Sequence, residues 1–219
     1  MAFTPIPRGA GWTAPRTPRD PAPPLDSPAG THTARGLTRR HALLAEPAAA
    51  LPGYPGPGES LHFLLDRRWD MGKVIASAAR RGPRVTHLRV ATLSVGAPQL
   101  DALTGLLDDG TVARASLVVS DYFARMEKSA YQRCRDEFAG RGHPVAAPRC
   151  HAKVVTLAFA DGTCLAIEGS ANLRANKCFE QIAVANDRGL HDFHASWIDE
   201  VIRQYDQAQD HQGDAGPEG

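Results

Sequence analysis

Reactive side chains crowd between residues 151 and 180: His151 and Lys153, then the run Gly169-Ser170-Ala171-Asn172, then Glu180. Together they supply an imidazole, an ammonium, a hydroxyl, an amide and a carboxylate. A neutral imidazole attacks phosphorus when one ring nitrogen is free and a carboxylate holds the other. Glu180 is the candidate holder. Displacement at phosphorus gathers negative charge on the nonbridging oxygens, which a lysine and short neutral donors can stabilise without a metal. The expected catalytic residues are therefore His151, Lys153 and Glu180, and the expected phosphate-binding residues are Lys153, Ser170 and Asn172.

The spacing says how these groups can meet. Residues i and i+2 of a strand share a face, so His151 and Lys153 project together while Ala152 points away. The segments KVVTLAF and TCLAIEG flank Asp161-Gly162, a dipeptide that favours a tight hairpin. Arms of similar length would return Ser170 and Asn172 beside His151 and Lys153. Taken singly, each residue has an ordinary reading: a solvated strand edge for the H-x-K pair, turn or cap duty for Ser170 and Asn172, and an exposed strand carboxylate for Glu180. Their combination points to a phosphate site.

H-x-K followed by G-S-x-N resembles the phospholipase D superfamily signature, and GSANLRANKCFEQ looks like the single-motif branch that includes bacterial endonucleases. The resemblance implies a phosphohistidine on His151, with Lys153 and Asn172 on the phosphate and Ser170 in the same turn. It also implies a phospholipase D-like single repeat. The family motif commonly carries Asp five residues after the lysine, where this chain has Ala158. Asp161 falls in the presumed turn and does not replace it; tyrosyl-DNA phosphodiesterases resemble this chain in lacking that Asp. Superfamily members usually join two H-x-K motifs, whereas this chain has one, with His87-Leu88-Arg89 as the nearest echo. A homodimer with His151 of both copies at the two-fold axis would supply the leaving-group acid. His143 is an alternative acid.

The elements needed to position these groups read as α/β. Alternation of LHFLL, a helix capped by Asp70, VTHLRVATLSV, a helix ending near Gly110, ASLVVSD, a long helix from Asp121, the hairpin, QIAVAND and a closing helix predicts a layered mixed β-sheet flanked by helices. Phe123, Met126, Ala130, Cys134 and Phe138 recur at helical spacing and mark the buried side of the long helix. Twelve of the 17 prolines lie in residues 1–60, so that stretch reads as a Pro-rich disordered tail. One patch within it, residues 37–51, has the composition of a short helix. The domain is expected over 61–205, with an acidic disordered tail over 206–219.

Charge and composition set bounds on function. The 219 residues carry a formal net charge of +1, with 42% hydrophobic and 22% charged residues, which fits a folded enzyme better than a polyanion coat. Residues 61–205 are mildly basic, and no long apolar run suggests a membrane span or a signal peptide. Cytoplasmic placement and a phosphodiester substrate, nucleic acid in preference to lipid, are the expectations. The four cysteines form no C-x-x-C pair, His191 and His194 read as a helix-surface pair, and no metal or other cofactor is called for. The leading expectation is thus a metal-independent phosphodiesterase, in particular a nuclease. The alternatives are a phosphate- or nucleic-acid-binding module without catalysis, and a phospholipid diesterase.

Overall fold

A computed structural model describes residues 30–34, 37–44, 53–65, 70–175 and 177–213. Its strands are β1 (Gly30–Ala34), β2 (Leu37–Leu44), β3 (Glu59–Leu65), β4 (Val85–Ala91), β5 (Ala115–Val118), β6 (Val145–Ala146), β7 (Val154–Phe159), β8 (Cys164–Gly169) and β9 (Glu180–Ala185). Five helices punctuate them: α1 (Met71–Arg81), α2 (Ala97–Asp108), α3 (Asp121–Met126), α4 (Lys128–Ala139) and α5 (Arg188–Gly213). The strands form one mixed sheet in the order β1-β2-β3-β9-β8-β7-β4-β5-β6. Pairing is parallel in β2/β3, β4/β5 and β5/β6 and antiparallel in the rest. The layered α/β expectation holds.

Period-two alternation sends the two sides of each strand into different layers. Phe63, Leu88, Leu117, Val155, Leu157, Ile167 and Ile182 are buried in the main core with residues of α1, α2 and α4. Ala91 and Val118 pack on the other side, with Ile198 and Ile202 of α5. Local signals explain the helix starts. The Asp70 carboxylate accepts from the Lys73 N–H at 3.0 Å at the head of α1, and Ser120 Oγ accepts from the Phe123 N–H at 2.9 Å at the head of α3. The hairpin turns where expected, with Gly162 at φ 87°, a conformation that glycine adopts without strain.

Three elements and one residue pair differ from expectation. Residues 37–44 form a strand, not a helix: β2 runs parallel to β3 from Thr38↔Glu59 to Leu44↔Leu65, so part of the Pro-rich 1–60 segment joins the sheet. Pattern reading missed it because pairing to a neighbouring edge, not local propensity, sets an outer strand. Residues 1–29 lie outside the described residues. The long helix expected from Asp121 breaks at Glu127, whose φ −124° and ψ 57° are not helical. Met126 therefore leaves the apolar series and is 65% exposed, whereas Phe123, Cys134 and Phe138 are buried. Helix α5 continues to Gly213, past the boundary expected at 205. Finally, His191 and His194 are not a surface pair, because both are buried.

The α5 side of the sheet carries one buried base with a consequence for stability. His87 Nε2 lies 3.0 Å from Ser116 Oγ, and Arg89 beside it makes a two-point ion pair with Asp199 of α5 at 2.7 and 2.8 Å. Burial, reinforced by Arg89 and Arg114, pushes the His87 pKa down to about 4. A base depressed in the folded state stays neutral there while the unfolded chain takes a proton. The associated stability is present above about pH 6.5, falls between 6.5 and 4, and is constant below. Its upper size is roughly 3 kcal/mol. Urea melts should thus weaken from pH 7 to 4, and His87→Gln should flatten that slope; an unchanged slope would remove His87 as its source.

Candidate functional site

The directions of the strands gather the expected residues at one end of the sheet. Ala91 pairs with Val154 and Val154 with Glu168, so the end of β4 meets the start of β7 and the end of β8. Gly169 pairs with Ile182, and Glu180 with Leu65, which adds the start of β9 and the end of β3. His151, Lys153, Ser170, Asn172 and Glu180 all fall on this margin. In open sheets, the carboxyl ends of strands are where ligand sites commonly form.

His151 and Lys153 lie just before β7 in a segment whose alternation persists. Cys150 and Ala152 pack on the apolar cluster beneath α5, while His151 is exposed. Lys153 Nζ donates to His151 Nδ1 at 3.2 Å and to the His151 carbonyl at 3.0 Å. An ammonium has only donors, so Nδ1 accepts here and the ring proton of the neutral imidazole sits on Nε2. The hairpin then seats the second motif, because the Gly169 N–H donates to the Lys153 carbonyl at 3.3 Å. Gly169 is required by close approach: a Cβ there would run into the Gln181 carbonyl oxygen of the neighbouring strand.

Ser170 is held from two sides. Its hydroxyl donates to the Glu180 carboxylate and accepts from the Gln181 N–H at 3.1 Å. The expected pairing of Glu180 with the imidazole is not what the structure has: the carboxylate holds Ser170, and the His151 ring bonds Lys153. Strand register explains the change, since Ser170 sits directly against Gln181 while His151 lies across the hairpin. Asn172 stands apart from both. Its amide oxygen is buried and has no hydrogen-bond partner among the described residues, an uncommon state for a buried polar atom.

The turn that carries Asn172 is fastened by residues that sequence reasoning did not single out. The Leu173 N–H donates to Thr92 Oγ1 at 3.0 Å, and the Gly96 N–H to the Leu173 carbonyl at 2.8 Å. Arg174 makes a two-point pair with Glu127 at 2.9 and 2.5 Å and lies 6.0 Å from the centre of the Phe123 ring. Its hydrogen bonds to Glu127 hold that carboxyl below the usual range. Arg174 was visible in the GSANLR run; Thr92 and Glu127 gave no sequence signal.

The remaining candidates lie elsewhere. Asp161 caps the hairpin turn at the far end, its carboxylate accepting from the Thr163 N–H at 2.9 Å. Ala158 is within β7 near that end, opposite Cys164. His143 precedes β6 at the far margin, edge-on to Phe138 at 6.4 Å, and does not join the site. His194 Nε2 donates to Glu168 at 2.8 Å while its Nδ1 accepts from the Trp197 indole at 3.0 Å, which ties α5 to β8 behind Ser170. Among the described residues no helix is long and apolar enough to cross a membrane, and no three His, Cys, Asp or Glu side chains group as metal ligands do.

Neither a family model nor a curated protein matches the chain. Solved structures do resemble it. Polyphosphate kinase from Porphyromonas gingivalis aligns at a TM-score of 0.50 and 15% identity, over 73% of this chain and 27% of that one. Nuc from Salmonella typhimurium, described as a phospholipase D family member, aligns at 0.48 and 19% identity, over 60% of this chain and 87% of its own. Yeast tyrosyl-DNA phosphodiesterase 1 aligns at 0.33 and 11% identity, over 47% and 25%. The chain thus spans about a quarter of the polyphosphate kinase, and the likeness between them is one of fold.

Proposed function

We propose that this protein is a metal-independent phosphodiesterase, a nuclease, that works through a covalent phosphohistidine on His151. The observation that carries the reading is the meeting of an exposed imidazole, a lysine ammonium 3.2 Å from its Nδ1, and the Gly169-Ser170-Ala171-Asn172 turn that the hairpin returns beside Lys153. Phosphate binding gives the ammonium a charged acceptor and the imidazole a reacting atom, while the N–H side of the Asn172 amide is the part that can donate to it. Lys153 and the Asn172 amide would hold the nonbridging oxygens. Ser170, fixed by Glu180 and Gln181, shapes the turn, and Glu180 acts as a positioning residue through that hydroxyl.

The reaction has two displacements. An imidazole nitrogen attacks phosphorus, an N–P bond forms, and the bond to the leaving oxygen breaks as that oxygen takes a proton. Water then attacks the phosphohistidine, which breaks the N–P bond, releases a phosphomonoester and restores the imidazole. Lys153 and oriented amide groups stabilise the charge that develops in both steps. The leaving oxygen needs a general acid; His87 and His143 lie away from the margin that carries His151, and the buried His191 and His194 sit on α5, with His194 engaged by Glu168 and Trp197. We assign that role to His151 of a second copy in a homodimer. Nucleic acid suits the mildly basic domain better than a lipid diester does. The binding-only reading shares the same cradle and differs in lacking the N–P bond.

His151→Ala should lower diester hydrolysis by roughly three orders of magnitude or more, while EDTA leaves the parent protein active. Acid-labile, base-stable label retained on His151 after a quench is the expected trace of the intermediate. Oligonucleotide binding without turnover, or full activity in the alanine variant, would overturn the mechanism. Sedimentation should give a dimer under assay conditions; a monomer that still cleaves would defeat the second-copy acid.

A further inference from the structure

We propose that Tyr122 and Phe179 are base-stacking residues that flank the phosphate site, and that the substrate is a single-stranded nucleic acid. This rests on the reading of His151 and Lys153 as a phosphodiester site and goes beyond it in strand state and in the residues that select it.

Tyr122 is 56% exposed, Met126 65% and Phe179 57%, which is unusual for large apolar side chains gathered at one margin of a sheet. Their backbones are held against the site. The Asp121 N–H donates to the Pro148 carbonyl at 2.8 Å, which fixes the start of α3 to the segment leading into His151. Phe179 immediately precedes Glu180, the carboxylate that takes the Ser170 hydroxyl. Two features turn α3 outward. Phe123 is buried beneath it, and Glu127, pinned by Arg174, breaks the helix so that Met126 faces away from the core. The Arg174 pair therefore couples this apolar rim to the turn bearing Asn172.

Charge says what kind of ligand such a rim meets. Arg149, two residues before His151, Lys128, next to Glu127, and Lys177, two residues before Phe179, are exposed. No salt bridge engages any of these three among the described residues, in contrast to Arg125 and Arg174 nearby. Cations on several sides of one phosphate site suit a polymer that carries further phosphates beyond the scissile one. A phospholipid has a single diester and none to spare. Exposed rings next to those cations need flat partners, and a duplex keeps its base faces stacked inside. An unpaired strand offers both, and stacking of bases on aromatic side chains beside a cationic path is a general way to hold one.

The test uses the full chain with three substrates: a single-stranded oligothymidylate, a duplex of equal length, and bis(4-nitrophenyl) phosphate as a minimal diester. The parent protein should favour the single strand over the duplex at least about tenfold in kcat/KM. The double variant Tyr122→Ala, Phe179→Ala should lose roughly ten- to a hundredfold on the single strand and stay within about twofold on the minimal diester. Tyr122→Phe with Phe179→Tyr should restore the preference, because the rings remain. Equal losses on single strand and duplex, or no loss, would overturn the inference. So would a double variant that dissociates a parent dimer, which would assign the rim to a second copy, or one impaired chiefly on phosphatidylglycerol vesicles, which would assign it to lipid. Hydrolysis of the minimal diester without strand preference defeats stacking and leaves the phosphodiesterase reading intact. Ring-dependent single-strand binding with no hydrolysis of any diester does the reverse.

Discussion

The antiparallel pairing of β7 with β8 is the constraint from which the site follows. It sets Val154 against Glu168, and one step further the Gly169 N–H bonds the Lys153 carbonyl. Side chains alternate between faces, so a slip of one residue would send Lys153 toward α5 and bring Ala152 to the margin. The register is protected on both sides of the sheet. Val155, Leu157, Leu165 and Ile167 have no exposed surface in the main core, while Cys150 and Ala152 pack beneath α5. Placement of a reactive pair is thus enforced by apolar burial of its neighbours. The two catalytic candidates contribute little to that enforcement themselves.

A second set of contacts holds the Gly169-Ser170-Ala171-Asn172 turn without engaging, among the described residues, the amide oxygen of Asn172. Thr92 is almost wholly buried and spends its hydroxyl on the Leu173 N–H and the Ser94 carbonyl, at 3.0 and 3.2 Å. Leaving a buried N–H unpaired there would cost about 1–3 kcal/mol. Arg174 adds a planar two-point pair to Glu127, a geometry that fixes orientation as well as distance. These bonds flank Asn172 in sequence and leave its side chain out. The turn is thus tied on both sides, and among the described residues the buried Asn172 amide oxygen stays outside these bonds.

Most of the architecture was legible because its signals were local. Asp70 announced a helix, Asp161-Gly162 a hairpin, and the apolar alternation of residues 154–159 and 164–169 two buried strands. Errors arose where partners distant in sequence decide the outcome. Leu37–Leu44 has helix-compatible composition, yet it pairs with β3. Met126 fits the helical period of its neighbours, yet Arg174, far along the chain, holds Glu127 in a non-helical conformation. The site divides in the same way. H-x-K and G-S-x-N were visible as residue types and their proximity followed from the hairpin. The partner of the Glu180 carboxylate was not visible, because His151 and Ser170 are both reachable from the start of β9 and only the register selects Ser170.

The contact between Lys153 and His151 bears on how the proposed phosphate site would work. The ammonium donates to a ring nitrogen and to a backbone carbonyl, both neutral acceptors. A phosphate oxygen is charged, and hydrogen bonds to a charged acceptor are shorter and roughly twice as strong. With three donors, the ammonium can retain the His151 carbonyl while exchanging the ring nitrogen for phosphate. In the phosphodiesterase reading proposed above, that exchange would release the Nδ1 lone pair for attack on phosphorus. Lysine suits this task better than arginine, because a compact ammonium can present its donors in several directions by turning about its Cε–Nζ bond, whereas a planar guanidinium commits its donors as a fork. In that reading the same side chain would first restrain the imidazole and then free it for attack, and the strand alternation that puts Lys153 on the same face as His151 is what would make both possible.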